Sequence, residues 1–181
     1  MAQSIYALLV GINNYPSHIT DLAGCVNDVG NVRGYLRDTF GDSAHIVELL
    51  DSDANRENVI REFRDHLGKA QAGDVALFQY AGHGAQWKSA PEFSSFNPSG
   101  WDEGLVLHDS RNGNNYDLAD KELPILLAET AKNGPHISVW MDCCHSGSAT
   151  RTAADFSQLT KRQTHKHPPT NNRTYQFPLS V

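Results

Sequence analysis

Long apolar runs are missing from this chain. No stretch approaches the ~20 residues that a helix needs to cross a bilayer, so no membrane segment is expected. The N-terminal MAQSIYALLVGINNY has no basic region ahead of its apolar residues and no small-residue cleavage site, so it is read as a strand and not a signal peptide. Cysteine is scarce. Three residues, Cys25, Cys143 and Cys144, give an odd count with two neighbours adjacent, a poor disulfide framework. Reduced thiols in a cytoplasmic compartment are the simpler expectation. A basic surface is absent too. The net charge is −6, and residues 1–150 carry 10 basic against 20 acidic side chains. Such a body argues against nucleic acid as a partner and favours cationic ligands.

What is present is alternation. Residues 6–12 (YALLVGI), 45–50 (HIVELL), 74–80 (DVALFQY) and 136–141 (HISVWM) are short, β-rich apolar runs, and 104–107 is a shorter one. Between them, residues 21–40, 51–67 and 120–132 place apolar side chains at helical spacing, the last opening on an Asp cap with Pro124 in its first turn. Residues 86–100 are polar and rich in Ser, Pro and Asn, and are expected to form a surface loop. The pattern predicts an α/β fold with a mainly parallel sheet covered on both faces. Residues 151–181 differ in kind, with five basic residues against one acid, and are expected to be a mobile or processed tail beside a 1–150 catalytic domain.

Ligands of parallel sheets bind beyond the carboxyl ends of strands. Two such ends deliver reactive residues: His83 in Ala81-Gly82-His83-Gly84, and Cys144 in Asp142-Cys143-Cys144-His145-Ser146-Gly147. A thiol becomes a competent nucleophile when an imidazole takes its proton, and the same imidazole can then protonate a leaving amine. The amides of Gly84 and Cys144 could form an oxyanion hole. Cys25 reads as a small apolar residue on a helix. Strand alternation turns Cys143 away from Cys144 and into the core. A zinc site at Cys143, Cys144 and His145 is disfavoured because adjacent residues rarely ligate one tetrahedral ion.

Taken in order, Leu8–Asn13 (LLVGIN), Leu22-Ala23-Gly24-Cys25-Val26-Asn27-Asp28, Tyr80-Ala81-Gly82-His83-Gly84 and the Asp142–Gly147 segment resemble the metacaspase and bacterial caspase-like cysteine peptidases over about residues 4–150. The resemblance implies a caspase-like three-layer sandwich, His83 as general base and Cys144 as nucleophile. It also implies Asp28 and Asp142 in a pocket for the substrate side chain, hence protein or peptide substrates cleaved after Arg or Lys. Two carboxylates suit a bidentate guanidinium. No cofactor is required for the chemistry. Calcium enters as an activator, with Asp102, Glu103 and Asp109 matching part of an acidic segment, although calcium wants six to eight oxygen ligands. The family has Ser where this chain has Ala81, and a small-subunit region follows its Cys where only 31 residues follow Thr150 here. A separate small-subunit-like chain or adaptor is therefore an expected partner, and Arg151, Lys161, Arg162, Lys166 and Arg173 are candidate self-cleavage sites. Two alternatives stand beside this one: a dormant caspase-like domain acting as a binding, scaffold or regulatory module, and a peptidase of the legumain or separase type.

Overall fold

A computed structural model describes residues 3–90 and 99–143. Cys144 and the basic tail fall outside the described residues. Among the described residues, seven strands and three α-helices follow one another as β1 (Ile5–Gly11), α1 (Cys25–Phe40), β2 (Ala44–Leu50), α2 (Arg56–Asp65), β3 (Val75–Ala81), β4 (Gly84–Lys88), β5 (Trp101–Leu105), β6 (Leu118–Ala119), α3 (Leu123–Ala131) and β7 (His136–Asp142). Among the described residues, no helix is long and apolar enough to cross a membrane.

Strands β2-β1-β3-β7, in that order, form a parallel sheet. Alternation along the strands splits its apolar residues between two layers. Ile5, Ala7, Leu9 and Leu77 pack with Val29 and Leu36 of α1. Leu8, Val10, Phe78, Tyr80, Val139 and Met141 pack with Val59, Ile60 and Phe63 of α2 and with Leu123 and Leu126 of α3. The result is the expected sandwich, with helices on both faces of a mainly parallel sheet.

The helix starts differ from the sequence reading, for local reasons. Residue 21 does not open α1. Asp21 instead accepts the Tyr15 N–H at 2.7 Å inside the preceding loop. The helix starts at Cys25 after Gly24, whose φ of 103° suits only glycine. Its first amide is capped from a distance, by Asn13 Oδ1 at 2.9 Å. Similarly, α2 begins at Arg56 under an Asn55 cap that accepts the Asn58 N–H at 2.9 Å. Asp120 does not cap α3, which begins at Leu123 with Pro124 in its first turn; the carboxylate of Asp120 meets Lys121 instead.

A second, antiparallel sheet, β4-β5-β6, replaces part of the expected loop. Its first strand follows His83 directly, and Gln86 and Trp87 pair with Glu103 and Asp102. The strand was hard to read because Gly84–Lys88 has little β-rich patterning. It forms because β5 offers it a complementary edge. Two buried ion pairs anchor the segments around this sheet: Arg56 with Glu122 at 2.6 Å and Arg111 with Asp117 at 3.2 Å.

Under the main sheet, His66 lies buried after α2 with Nε2 3.1 Å from the His45 carbonyl. Burial holds its imidazole below the usual histidine range; Lys69 adds to this, while the His45 carbonyl and Glu62 oppose it. Below the unfolded value of about 6.5 the unfolded chain takes up a proton that the folded chain resists, so stability falls as the pH drops. Urea midpoints measured from neutral pH down through that value should decline, and His66→Gln should decline less steeply. Equal slopes would show that His66 contributes nothing to the pH dependence.

Candidate active site

The carboxyl edge of the main sheet is set by strand register. Gly11 pairs with Ala81, and Ala81 pairs with Asp142, so β1, β3 and β7 end level. Two bonds continue the row beyond the strands: Ile12 N–H donates to the Ala81 carbonyl at 3.0 Å, and Gly82 N–H to the Asp142 carbonyl at 3.3 Å. His83 follows two residues after Ala81, as Cys144 follows two residues after Asp142.

His83 is 4% exposed, yet its backbone and ring are tightly directed. Its N–H donates to the Tyr15 hydroxyl at 3.0 Å. Its carbonyl accepts from the Val106 N–H at 2.9 Å and lies 2.8 Å from the Tyr80 hydroxyl. That hydroxyl is also 2.7 Å from the Val106 carbonyl, so its single hydrogen is shared between two acceptors. The Tyr15 ring packs against the imidazole with centroids 5.0 Å apart. Burial raises both phenols above their ordinary range, which keeps them neutral hydrogen-bond donors at physiological pH.

The ring atoms then have defined roles. Nε2 lies 2.8 Å from the Thr20 carbonyl. A carbonyl can only accept, so Nε2 carries the hydrogen, and in the neutral ring Nδ1 is the basic nitrogen. The loop supplying Thr20 is itself braced. Asp51, at φ 46°, accepts the N–H groups of Asn13 (2.8 Å) and Asn14 (2.9 Å). Burial would raise that carboxyl; the donors of Asn14 and Asn13 outweigh it and hold the group below the usual carboxylate range.

Gly84 fits the oxyanion role in one respect. The bond from Val106 N–H to the His83 carbonyl marks Gly84 and Leu105 as a non-hydrogen-bonded pair. In such a pair the amides point away from the facing strand, so the Gly84 N–H is turned away from β5. Cys144, the other expected donor, lies outside the described residues. Cys143 is 4% exposed within the core beside Met141, as strand alternation predicts, and Cys25 is buried on α1.

Asp142 ends β7 on the face opposite Val139 and Met141, which is the α1 face. Asp28 lies in the first turn of α1. That turn presses on the carboxyl end of β1: a Cβ on Gly11 would sit 2.9 Å from the Cys25 carbonyl and 2.7 Å from Val29. Asp28 and Asp142 therefore share one face and one edge of the sheet, both partly exposed.

The expected calcium residues do not converge. Asp109 accepts the Arg56 N–H at 2.9 Å and the Asn115 side-chain amide at 3.0 Å. Glu103 and Asp102 alternate on β5 and so face opposite sides. Asp102 is fully buried against Lys121 and Ser89. Among the described residues no group of three or more His, Cys, Asp or Glu could hold a metal ion. These side chains do not fit a calcium cradle.

A family model of the metacaspase, peptidase C14 domain matches residues 6–153. This chain belongs to the metacaspase family. Among curated relatives, it is 33% identical over 150 residues to Metacaspase-1A of Aspergillus terreus, covering 79% of this chain and 36% of that protein. It is 31% identical over 150 residues to Metacaspase-1 of Emericella nidulans, with the same two shares. The chain thus spans about a third of the length of the curated relatives it matches. Among solved structures, it resembles protein GSU0716 of Geobacter sulfurreducens, with a TM-score of 0.61, 26% identity, and coverage of 83% of this chain and 54% of that one.

The residues that reading the sequence missed are Tyr15 and the Thr20 carbonyl. Tyr15 follows the β1 motif after an Asn pair, a place where only its buried hydroxyl distinguishes it. A backbone carbonyl leaves no sequence signal at all. The fit around Gly82 gives a test of this bracing, because a Cβ there would lie 2.5 Å from the Tyr80 hydroxyl and 2.9 Å from that of Tyr15. Gly82→Ala should cost about 1–3 kcal/mol by urea unfolding, as overpacking does. A variant as stable as the wild type would show that the two tyrosines do not constrain this turn.

Proposed function

We propose that this metacaspase chain carries the catalytic dyad of a cysteine endopeptidase, with Cys144 as nucleophile and His83 as general base. The observation that supports this best is the level ending of β3 and β7, with His83 and Cys144 at the same two-residue offset beyond neighbouring strands. Parallel neighbours lie about 4.8 Å apart, so the chain leaves Ala81 and Asp142 from adjacent points on the sheet edge. His83 Nδ1 takes the thiol proton, and the thiolate attacks the peptide carbonyl carbon. The C–N bond then breaks as the imidazolium returns its proton to the leaving amine. Water, deprotonated by His83, hydrolyses the thioester and regenerates the thiol. The Gly84 and Cys144 amides stabilise the oxyanion formed in both steps. None of these steps uses a cofactor, and they need a thiol kept reduced, as the cytoplasm keeps it.

Cleavage after Arg or Lys is the substrate reading, supported by Asp28 and Asp142 on one face of the sheet edge. A second polypeptide completing the cleft is supported by β7, which among the described residues pairs with β3 alone and so leaves an edge to extend. That same edge favours the second reading, a dormant module that binds other proteins through β7. In the peptidase reading the basic residues beyond Thr150, Arg151, Lys161, Arg162, Lys166 and Arg173, are sites of self-cleavage.

Fluorogenic peptides ending in Arg, Lys, Asp or Asn separate the readings. The expected result is turnover of Arg and Lys peptides, lost in Cys144→Ala, with a shortened intact mass in the wild type alone. Absence of turnover even with a small-subunit-like chain added, together with identical masses, would favour the dormant module.

A further inference from the structure

The acidic residue Asp102 of β5 faces a cation from a later segment, Lys121. Asp102 is fully buried, and a carboxylate taken from water costs several kcal/mol unless it is compensated. The Lys121 ammonium lies directly against its Oδ1. The Ser89 hydroxyl, just beyond β4, donates to the same oxygen at 2.5 Å. A second carboxylate, Asp120, approaches the same ammonium at 3.5 Å, with only a tenth of its side chain exposed. One buried carboxylate and one partly buried carboxylate thus converge on one positive charge, itself 15% exposed. Main-chain bonding fixes the group: Asp120 N–H donates to the Glu103 carbonyl at 2.8 Å, which holds the segment after β6 against β5.

We propose that Lys121 is a resident cation standing where a divalent ion would otherwise be needed, so that the β4–β5 pair forms without calcium. The geometry makes the two alternatives exclusive. Calcium requires six to eight oxygens at 2.3–2.6 Å, and an ammonium already against Asp102 occupies that first shell. An ammonium brings one charge to two carboxylates where calcium would bring two, and it never dissociates from the chain. The consequence reaches the site by a short route. Trp87 pairs with Asp102, Gly84 pairs with Leu105, and His83 immediately precedes Gly84. The charge pair therefore holds the far end of the strand that fixes the His83 turn. This inference does not depend on the peptidase reading, since it concerns folding and ion binding.

The test reads melting temperature and terbium luminescence, not activity. Trp87, opposite Asp102, is positioned to sensitise a lanthanide bound there. Wild-type protein should melt at the same temperature with and without millimolar calcium at matched ionic strength, and should give no saturable terbium signal that Asp102→Asn removes. Lys121→Ala should melt lower, recover with calcium, and gain a saturable terbium signal that the added Asp102→Asn change abolishes. A wild-type terbium signal lost in Asp102→Asn would overturn the proposal, as would a Lys121→Ala variant that melts like wild type and ignores calcium. If Lys121→Ala does not fold, Lys121→Arg and Lys121→Met decide: Arg should retain wild-type melting while Met falls below it, and equal melting of the two would overturn the claim.

Discussion

The site depends on one constraint, the parallel register that brings Gly11, Ala81 and Asp142 into a single row. Three strands ending level create an edge from which loops leave side by side. The edge is usable because the first residues beyond it are bonded and not left to drift. Ile12 and Gly82 extend the ladder by one residue, and Tyr15 and Tyr80 then hold the backbone on either side of the His83 Cα. Once the backbone is fixed, the Thr20 carbonyl needs only to select the ring tautomer. Register sets position, the tyrosines set the turn, and a carbonyl sets the proton.

Around that row the molecule spends charge on location more than on stability. Arg56 reaches Glu122 and the Asp117 carbonyl, Arg111 reaches Asp117, and Lys121 reaches Asp102. Each pair is largely buried; Arg56–Glu122 and Lys121–Asp102 join separate elements, and Arg111–Asp117 closes the connection between β5 and β6. Buried pairs add little net stability against apolar substitutes, but breaking one strands a charge. They suit a small sheet with limited apolar area, whose two-residue strand β6 could not define its own register.

Much of this was legible in the sequence because the main strands are continuous apolar runs, as doubly covered parallel strands must be. The β1, β2, β3 and β7 runs came through within a residue or so. The alternation in β7 also assigned Cys143 to the core. What stayed hidden depends on distant partners. Asn13 caps α1 from twelve residues away, Asp21 has the pattern of a helix opener but closes a loop, and β4 exists only because β5 lies beside it. The acidic residues illustrate the same limit. Asp102, Glu103 and Asp109 read as one segment, yet strand alternation and separate loops send them to different neighbours, and the lysine beside Asp102 comes from a later segment.

In the proposed function, His83 activates Cys144, among three cysteines, toward a basic substrate. Labelling with a peptidyl-arginine chloromethyl ketone, followed by peptide mapping, tests it directly. Adducts are expected at Cys144, absent from Cys25 and Cys143, and strongly slowed by His83→Ala. Labelling that is spread over the cysteines, or that is indifferent to His83, would contradict it.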